Sequence, residues 1–312
     1  MKYAFIFPGQ GSQSTGMGKD FYDNFSIAKE LIEQASDTLG FDFRHLLFEE
    51  NDKLNLTQYT QPSIFLVSYM AHSIFQSEFS LLPSISLGHS LGEVSAVAMA
   101  KGASFENALK LTYDRGELMA KACEGKDAGM MVVVGLADHI LEEFCSKARG
   151  MGKSVWCANY NGDGQVVLAG KKADLSSLES ELKALGSKRA LLLPMSVASH
   201  CPMLESACGD FETLLDRVIE SEFANPILSN ATLESYTQKS QAKTLLTQQL
   251  VMPVLYKQSI QKISSDIDAF IEFGNGSVLK GLNKRLSDKP TYNVSDIATL
   301  KETIQILHKE EE

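Results

Sequence analysis

Ser84-Ile85-Ser86-Leu87 runs directly into Gly88-His89-Ser90-Leu91-Gly92, and small and apolar residues follow from Glu93 to Ala100. The stretch reads as a short strand, a sharp turn and a buried helix, with a serine at the centre of G-x-S-x-G. That turn strains the backbone at the serine, so small residues are needed at both glycine positions. The hydroxyl then projects at the N-terminus of the helix, where free N–H groups can bind an oxyanion. The pentapeptide by itself fits a tight turn with an incidental serine equally well. The flanking strand and helix favour a nucleophile.

The pattern extends outward from this turn. Tyr3–Phe7 is short, apolar and ended by Pro8-Gly9, as expected of a buried strand. Helical patterns follow near 25–39 and 58–79, with Pro62 expected in the first turn of the second. Another helical pattern covers 105–122. The alternation predicts an α/β fold with a mainly parallel sheet flanked by helices. The middle of the chain differs. Met130–Leu136, Ser154–Tyr160, Gln165–Ala169 and Ala190–Met195 are strand-like, and 138–149 and 172–185 are helix-like. The second and third strands join through Asn161-Gly162-Asp163-Gly164, a hairpin signal. The resulting β-α-β-β-α-β order predicts an inserted ferredoxin-like subdomain over 126–197, with 1–125 and 198–312 forming the large domain. Beyond Pro202, helices are expected over 203–219 and 240–265. A strand follows at Ala269–Phe273, then Gly274-Asn275-Gly276. A last helix should fray into a solvated Lys309-Glu310-Glu311-Glu312 tail.

Composition narrows the function. The chain has 312 residues, 29 basic against 39 acidic, for a net charge of −10. Such a balance argues against nucleic-acid binding, which usually needs a basic face. Five cysteines without a CxxC pair fit reduced thiols in a cytoplasmic protein. No apolar run approaches the ~18 residues of a membrane span, and Tyr3–Phe7 is too short for a signal-peptide core. There is no HExxH, EF-hand loop or Cys/His cluster, so no metal is expected. Gly152-Lys153-Ser154 is not a phosphate loop, because Lys147 stands where that motif needs glycine.

A serine hydroxyl needs a base. His45, His72, His139 and His308 lie in helical or loop patterns and read as surface or packing residues. His89 adjoins the serine, but its side chain is expected to point away from it. His200 sits in Ser196-Val197-Ala198-Ser199-His200-Cys201-Pro202, the loop where the insert rejoins the main domain. It is the preferred base, against the plain alternative of a loop histidine without a role. Arg115 shares an apolar stripe with Ala108, Leu111, Leu118 and Ala122. A cation there needs an anion, either an internal Asp or Glu or a substrate carboxylate held by the guanidinium fork. Pro8-Gly9-Gln10-Gly11 could lend a backbone N–H to a site or be merely a turn.

These residues together resemble the malonyl-CoA:acyl-carrier-protein transacylase family. The resemblance rests on Phe7–Gln13, Gly88–Glu93, Asp114-Arg115-Gly116, Asn161 with Gly164–Gly170, Val197–Pro202, Gln248-Gln249-Leu250 and Glu272–Gly276. It implies a hydrolase-like α/β domain carrying a ferredoxin-like insert, and transfer of malonyl from malonyl-CoA to the phosphopantetheine thiol of acyl carrier protein, supplying fatty-acid elongation. Ser90 would be the nucleophile and His200 the base. The backbone N–H groups of Gln10 and Leu91 would form the oxyanion hole, and Arg115 would pair with the malonyl carboxylate. Gln249 would orient His200 through its carbonyl, and Asn161 would line the cleft. No cofactor is implied, because the CoA thioester is a substrate and the pantetheine arm belongs to the partner. Asn275 stands where the family usually has proline, in a turn that an asparagine's tolerance of unusual backbone angles would preserve. Leu91 resembles enzymes that use malonyl units. The alternatives are a stand-alone acyltransferase for polyketide synthesis and a serine esterase or thioesterase. Carrier proteins of this pathway are acidic, so a local basic docking patch is expected despite the net charge.

Overall fold

The computed structural model describes residues 1–311. Ten strands occur among them: β1 Tyr3–Phe7, β2 Ile85–Gly88, β3 Ala128–Val134, β4 Val155–Gly162, β5 Gln165–Lys171, β6 Arg189–Leu192, β7 Glu222–Leu228, β8 Ser235–Gln238, β9 Ala269–Phe273 and β10 Thr291–Val294. Six form one sheet in the order β10-β9-β1-β2-β7-β8. All of its pairings are parallel except the β7–β8 edge. β1 is buried along its whole length, as a central strand covered on both faces must be. Tyr3, Phe5 and Phe7 pack into the main core on one face, and Ala4 and Ile6 join Leu87, Leu228 and Phe270 on the other.

The remaining four strands make an antiparallel sheet in the order β4-β5-β3-β6, with helices Asp138–Gly150 and Lys172–Ala184 packed on it. This is the ferredoxin-like order predicted from the sequence. Its own core includes Met131, Val133, Leu141, Leu168, Leu175 and Leu182.

Register brings the chemistry together. Phe7 pairs with Gly88, so the Pro8-Gly9-Gln10 turn leaves β1 beside the Ser90 turn that leaves β2. A Cβ on Gly9 would lie 2.2 Å from the His89 carbonyl oxygen. One on Gly92 would lie 1.9 Å from the Phe7 carbonyl oxygen, and one on Gly88 1.9 Å from the Gly92 carbonyl carbon. Both glycines of the serine turn are therefore steric requirements. The site opens at the carboxyl ends of the parallel strands, the usual place for a ligand in open α/β sheets.

Several local expectations change. The 240–265 helix is two helices, Lys239–Val251 and Tyr256–Ile263. Pro253 interrupts them, and Val254 instead bridges to the insert, its N–H donating to the Ala158 carbonyl at 2.8 Å. Residues Pro202–Ala207 form a tight 3-10 turn before the helix Cys208–Val218. Pro62 lies inside the helix Thr57–Glu78 and not in its first turn. β6 ends at Leu192, short of Met195, and β7, β8 and β10 had no clear sequence signal. The C-terminal helix continues to Glu311, and Glu310 accepts from the hydroxyls of Tyr3 at 2.9 Å and Tyr292 at 2.8 Å. The expected frayed tail is thus tied down at Glu310, while Glu312 lies outside the described residues. In Gly274-Asn275-Gly276 the two glycines carry the positive φ angles, 142° and 72°. Asn275 acts instead through its side chain, donating to the Ser12 carbonyl at 2.6 Å and to Ser14 Oγ at 2.9 Å, which tethers the loop beyond Gln10.

Candidate active site

Ser90 precedes the helix Leu91–Met99 with φ 56° and ψ −108°, a conformation that a non-glycine residue seldom adopts. Its N–H donates to Asn230 Oδ1 at 2.7 Å, and Asn230 Nδ2 donates to the Gly88 carbonyl at 2.7 Å. One side chain at the end of β7 therefore clamps both sides of the strained turn. Ser90 Oγ lies 2.7 Å from His200 Nε2. His200 Nδ1 lies 2.7 Å from the backbone carbonyl of Gln249. A carbonyl can only accept, so Nδ1 carries the proton and Nε2 faces Ser90 with its lone pair. Among the described residues, no carboxylate bonds to His200.

His200 is buried, and its pKa is pushed down to about 3, first by burial, then by the Arg115 guanidinium and more weakly by His89; the Gln249 carbonyl opposes this. The imidazole is therefore neutral at physiological pH and free to accept a proton. His89 does not bond to Ser90. Its Nε2 meets Asn161 Oδ1 at 2.7 Å and its ring lies against Tyr256.

Arg115 is 1% exposed. Nη1 donates to Gln61 Oε1 at 2.7 Å, and Nη2 donates to Gln249 Oε1 at 3.0 Å and to Ser90 Oγ at 3.3 Å. Its Nε is buried without a hydrogen-bond acceptor. Burial lowers its pKa to about 10, opposed by the field of Glu93, so the group stays charged. Of the two partners expected from the sequence, the internal Asp or Glu is not in contact: every acceptor is neutral. Gly116 explains how the two helices meet. A Cβ there would lie 2.7 Å from the Thr57 carbonyl oxygen, so the Arg115 helix presses directly on the helix that carries Gln61.

Glu93 lies behind Ser90, fully buried. Its Oε2 accepts from the Asn230 N–H at 2.9 Å and from Gln249 Nε2 at 2.6 Å, and its Oε1 from the Tyr236 hydroxyl at 2.9 Å. Burial raises its pKa to about 7 against the pull of these donors and of Arg115. The carboxylate fixes which way the Gln249 amide faces: the nitrogen toward Glu93 and the Ser90 carbonyl (3.1 Å), the oxygen toward Arg115.

The backbone N–H groups of Gln10 and Leu91 make no hydrogen bond among the described residues. Both residues border the cavity beside Ser90, of about 310 Å³, which Arg115, Asn161 and His200 also line. Gln249 stands behind His200 and Arg115. Apolar side chains of the insert, including Met130, Val132, Val167, Leu191 and Leu193, form the opposite wall. A larger depression of about 590 Å³ between the helices Phe105–Cys123 and Cys208–Val218 is lined by Asp114, Glu117, Asp210 and Arg217, among others, and holds no nucleophile–base pair. Among the described residues, no cluster of His, Cys, Asp and Glu could hold a metal ion.

The pattern of the acyl transferase domain matches residues 4–302. The chain belongs to the acyl transferase domain family. A malonyl CoA-acyl carrier protein transacylase from Haemophilus influenzae is 35% identical over 302 residues, 96% of each chain. Among solved structures, the malonyl-CoA:acyl carrier protein transacylase of Helicobacter pylori superposes with a TM-score of 0.96 at 50% identity, covering 99% of both chains. A malonyl-transacylase solved in complex with a type II polyketide-synthase acyl carrier protein gives 0.94 at 32% identity, covering 98% of this chain and 100% of that one. The structure gathers the seven residues singled out from the motifs around Ser90, six lining the cavity and Gln249 behind it. Four more members of the network were not singled out for the site: Gln61, Asn230, Tyr236 and, within a quoted motif, Glu93. The only available signal was polarity misplaced in otherwise apolar or small-residue surroundings, at Gln61 and Glu93.

Proposed function

We propose that this chain transfers malonyl from malonyl-CoA to the phosphopantetheine thiol of acyl carrier protein, supplying fatty-acid elongation. The observation that carries the reading is Ser90 Oγ set between a neutral His200 at 2.7 Å and a buried, unneutralised Arg115 at 3.3 Å. His200 Nε2 takes the Ser90 proton as Oγ attacks the thioester carbonyl. The N–H groups of Gln10 and Leu91 hold the developing oxyanion. Collapse breaks the C–S bond, and the CoA sulfur leaves with the proton from His200. In the second half-reaction the carrier thiol gives its proton to His200 and attacks the malonyl ester, and Ser90 recovers the proton as it departs. Arg115 pairs with the free carboxylate throughout, and Asn161 steadies the cleft through His89. These groups account for every bond made and broken without a cofactor.

Residues 126–197 act in this reading as an inserted subdomain whose apolar wall excludes water from the ester. Free thiols at all five cysteines fit a reducing cytoplasm, and among the described residues no helix is long and apolar enough to cross a membrane. An esterase would commonly place an acid on His200, and here a carbonyl occupies that position. The relative bound to a polyketide carrier makes such a protein a second candidate acceptor. Malonyl-CoA turnover, measured with and without fatty-acid and polyketide carriers, tests the reading. Transfer should require the carrier thiol, and equally fast CoA release without it would show a hydrolase.

A further inference from the structure

Gln61 is fully buried on the helix Thr57–Glu78, and no motif accounts for it. Its Oε1 accepts from Arg115 Nη1 at 2.7 Å, and its Nε2 donates to Thr57 Oγ1 at 3.0 Å. The Thr57 hydroxyl in turn donates to the Gln10 side chain, with Oγ1 3.0 Å from Oε1. The order of donors and acceptors is forced. Thr57 spends its only proton on Gln10, so the group facing Thr57 from position 61 must be a donor. The amide oxygen is then left for Arg115. Gln61 thus accepts from one arm of the guanidinium without cancelling its charge, and it links that guanidinium to the loop whose N–H faces the oxyanion.

We propose that Gln61 is a specificity-determining residue, a neutral acceptor that holds Arg115 in place while leaving its positive charge for the carboxylate of the incoming acyl group. The proposal rests on Arg115 being that carboxylate's receptor. A carboxylate at position 61 would reverse the arrangement. It would pair with Arg115 internally, as a resident competitor for the substrate's carboxylate. It could not donate to Thr57, so the Thr57 proton would turn away from Gln10. An acetyl thioester has no carboxylate and loses nothing to the competitor. Selectivity between the two acyl groups therefore isolates the charge effect from general damage.

The test compares Gln61→Glu, Gln61→Met and Arg115→Ala with the wild-type chain, using malonyl-CoA and acetyl-CoA as donors and a holo carrier protein as acceptor. The malonyl-to-acetyl ratio of kcat/KM should fall about 10–100-fold in Gln61→Glu, the worth of a hydrogen bond to a charged group. Gln61→Met removes the acceptor and adds no charge, so it should lie between wild type and Gln61→Glu. It also supplies the test if Gln61→Glu does not fold. Proportionate losses with both donors would mean a purely structural glutamine and overturn the proposal. An unchanged ratio in both Gln61 variants would overturn it too, provided Arg115→Ala loses malonyl preference. If Arg115→Ala keeps that preference, the carboxylate reading itself falls, and the proposal with it.

Discussion

Arg115→Ala is the perturbation whose consequences the structure specifies most fully. The guanidinium is 1% exposed and its hydrogen-bonded partners are all neutral, so its charge is available beside Ser90. A charge-assisted pair with the malonyl carboxylate is worth about 2–4 kcal/mol in such a buried setting. At about 1.4 kcal/mol per tenfold, that loss lowers malonyl kcat/KM about 30- to 1000-fold. Acetyl transfer loses only the weaker contact to Ser90 Oγ at 3.3 Å and should fall less than about tenfold. The charge also acts on His200. Arg115 is the second cause, after burial, of the low His200 pKa. Removing it lets His200 protonate at a higher pH, so the acid limb of the variant's profile should move upward. Steady-state kinetics with both donors, repeated across pH, reads out both effects. Equal losses with malonyl and acetyl, together with an unmoved acid limb, would refute the reasoning.

Two further outcomes follow from the same network. His200 has a folded pKa near 3 against an unfolded value of 6.5. The neutral base should therefore survive well below pH 6.5, and a pH profile of acyl-enzyme formation should show its acid limb beneath pH 5; a limb at 6.5 would count against the buried-base account. By the same sign, the stability His200 contributes is complete above pH 6.5 and drains away as the pH falls toward 3. Glu93→Ala leaves the Asn230 N–H, Gln249 Nε2 and the Tyr236 hydroxyl without their acceptor and should cost about 3–5 kcal/mol in thermal or denaturant unfolding. Glu93→Gln, which keeps the volume and one oxygen for Asn230 and Gln249, should recover most of that loss; equal losses in the two variants would show that the carboxylate's charge, and not the acceptor oxygen shared by Asn230 and Gln249, matters there.

The legible parts of the site were those whose requirements are local. The G-x-S-x-G turn announces itself because both glycines are demanded by atoms within a few ångströms, and Arg115 because a cation broke an apolar helical stripe. The parallel sheet and the ferredoxin-like insert were readable from the switch in element order. The network behind the serine was not, because its partners are far apart in sequence: Asn230 lies 140 residues from Ser90, and Tyr236 143 from Glu93. No periodicity records such a meeting. β8 and β10 are four residues each, and β7 contains Pro226 and ends beside an edge strand, so their strand character comes from pairing. The break at Met252–Leu255 likewise depends on the insert, whose edge strand receives Val254.

The most direct measurement is intact-mass spectrometry of the purified protein after brief exposure to malonyl-CoA, followed by peptide mapping and a chase with holo carrier protein. One malonyl group should appear on Ser90, be absent in Ser90→Ala, and pass to the carrier thiol. A malonyl adduct mapping to any other side chain, or turnover that persists in Ser90→Ala, would contradict the account.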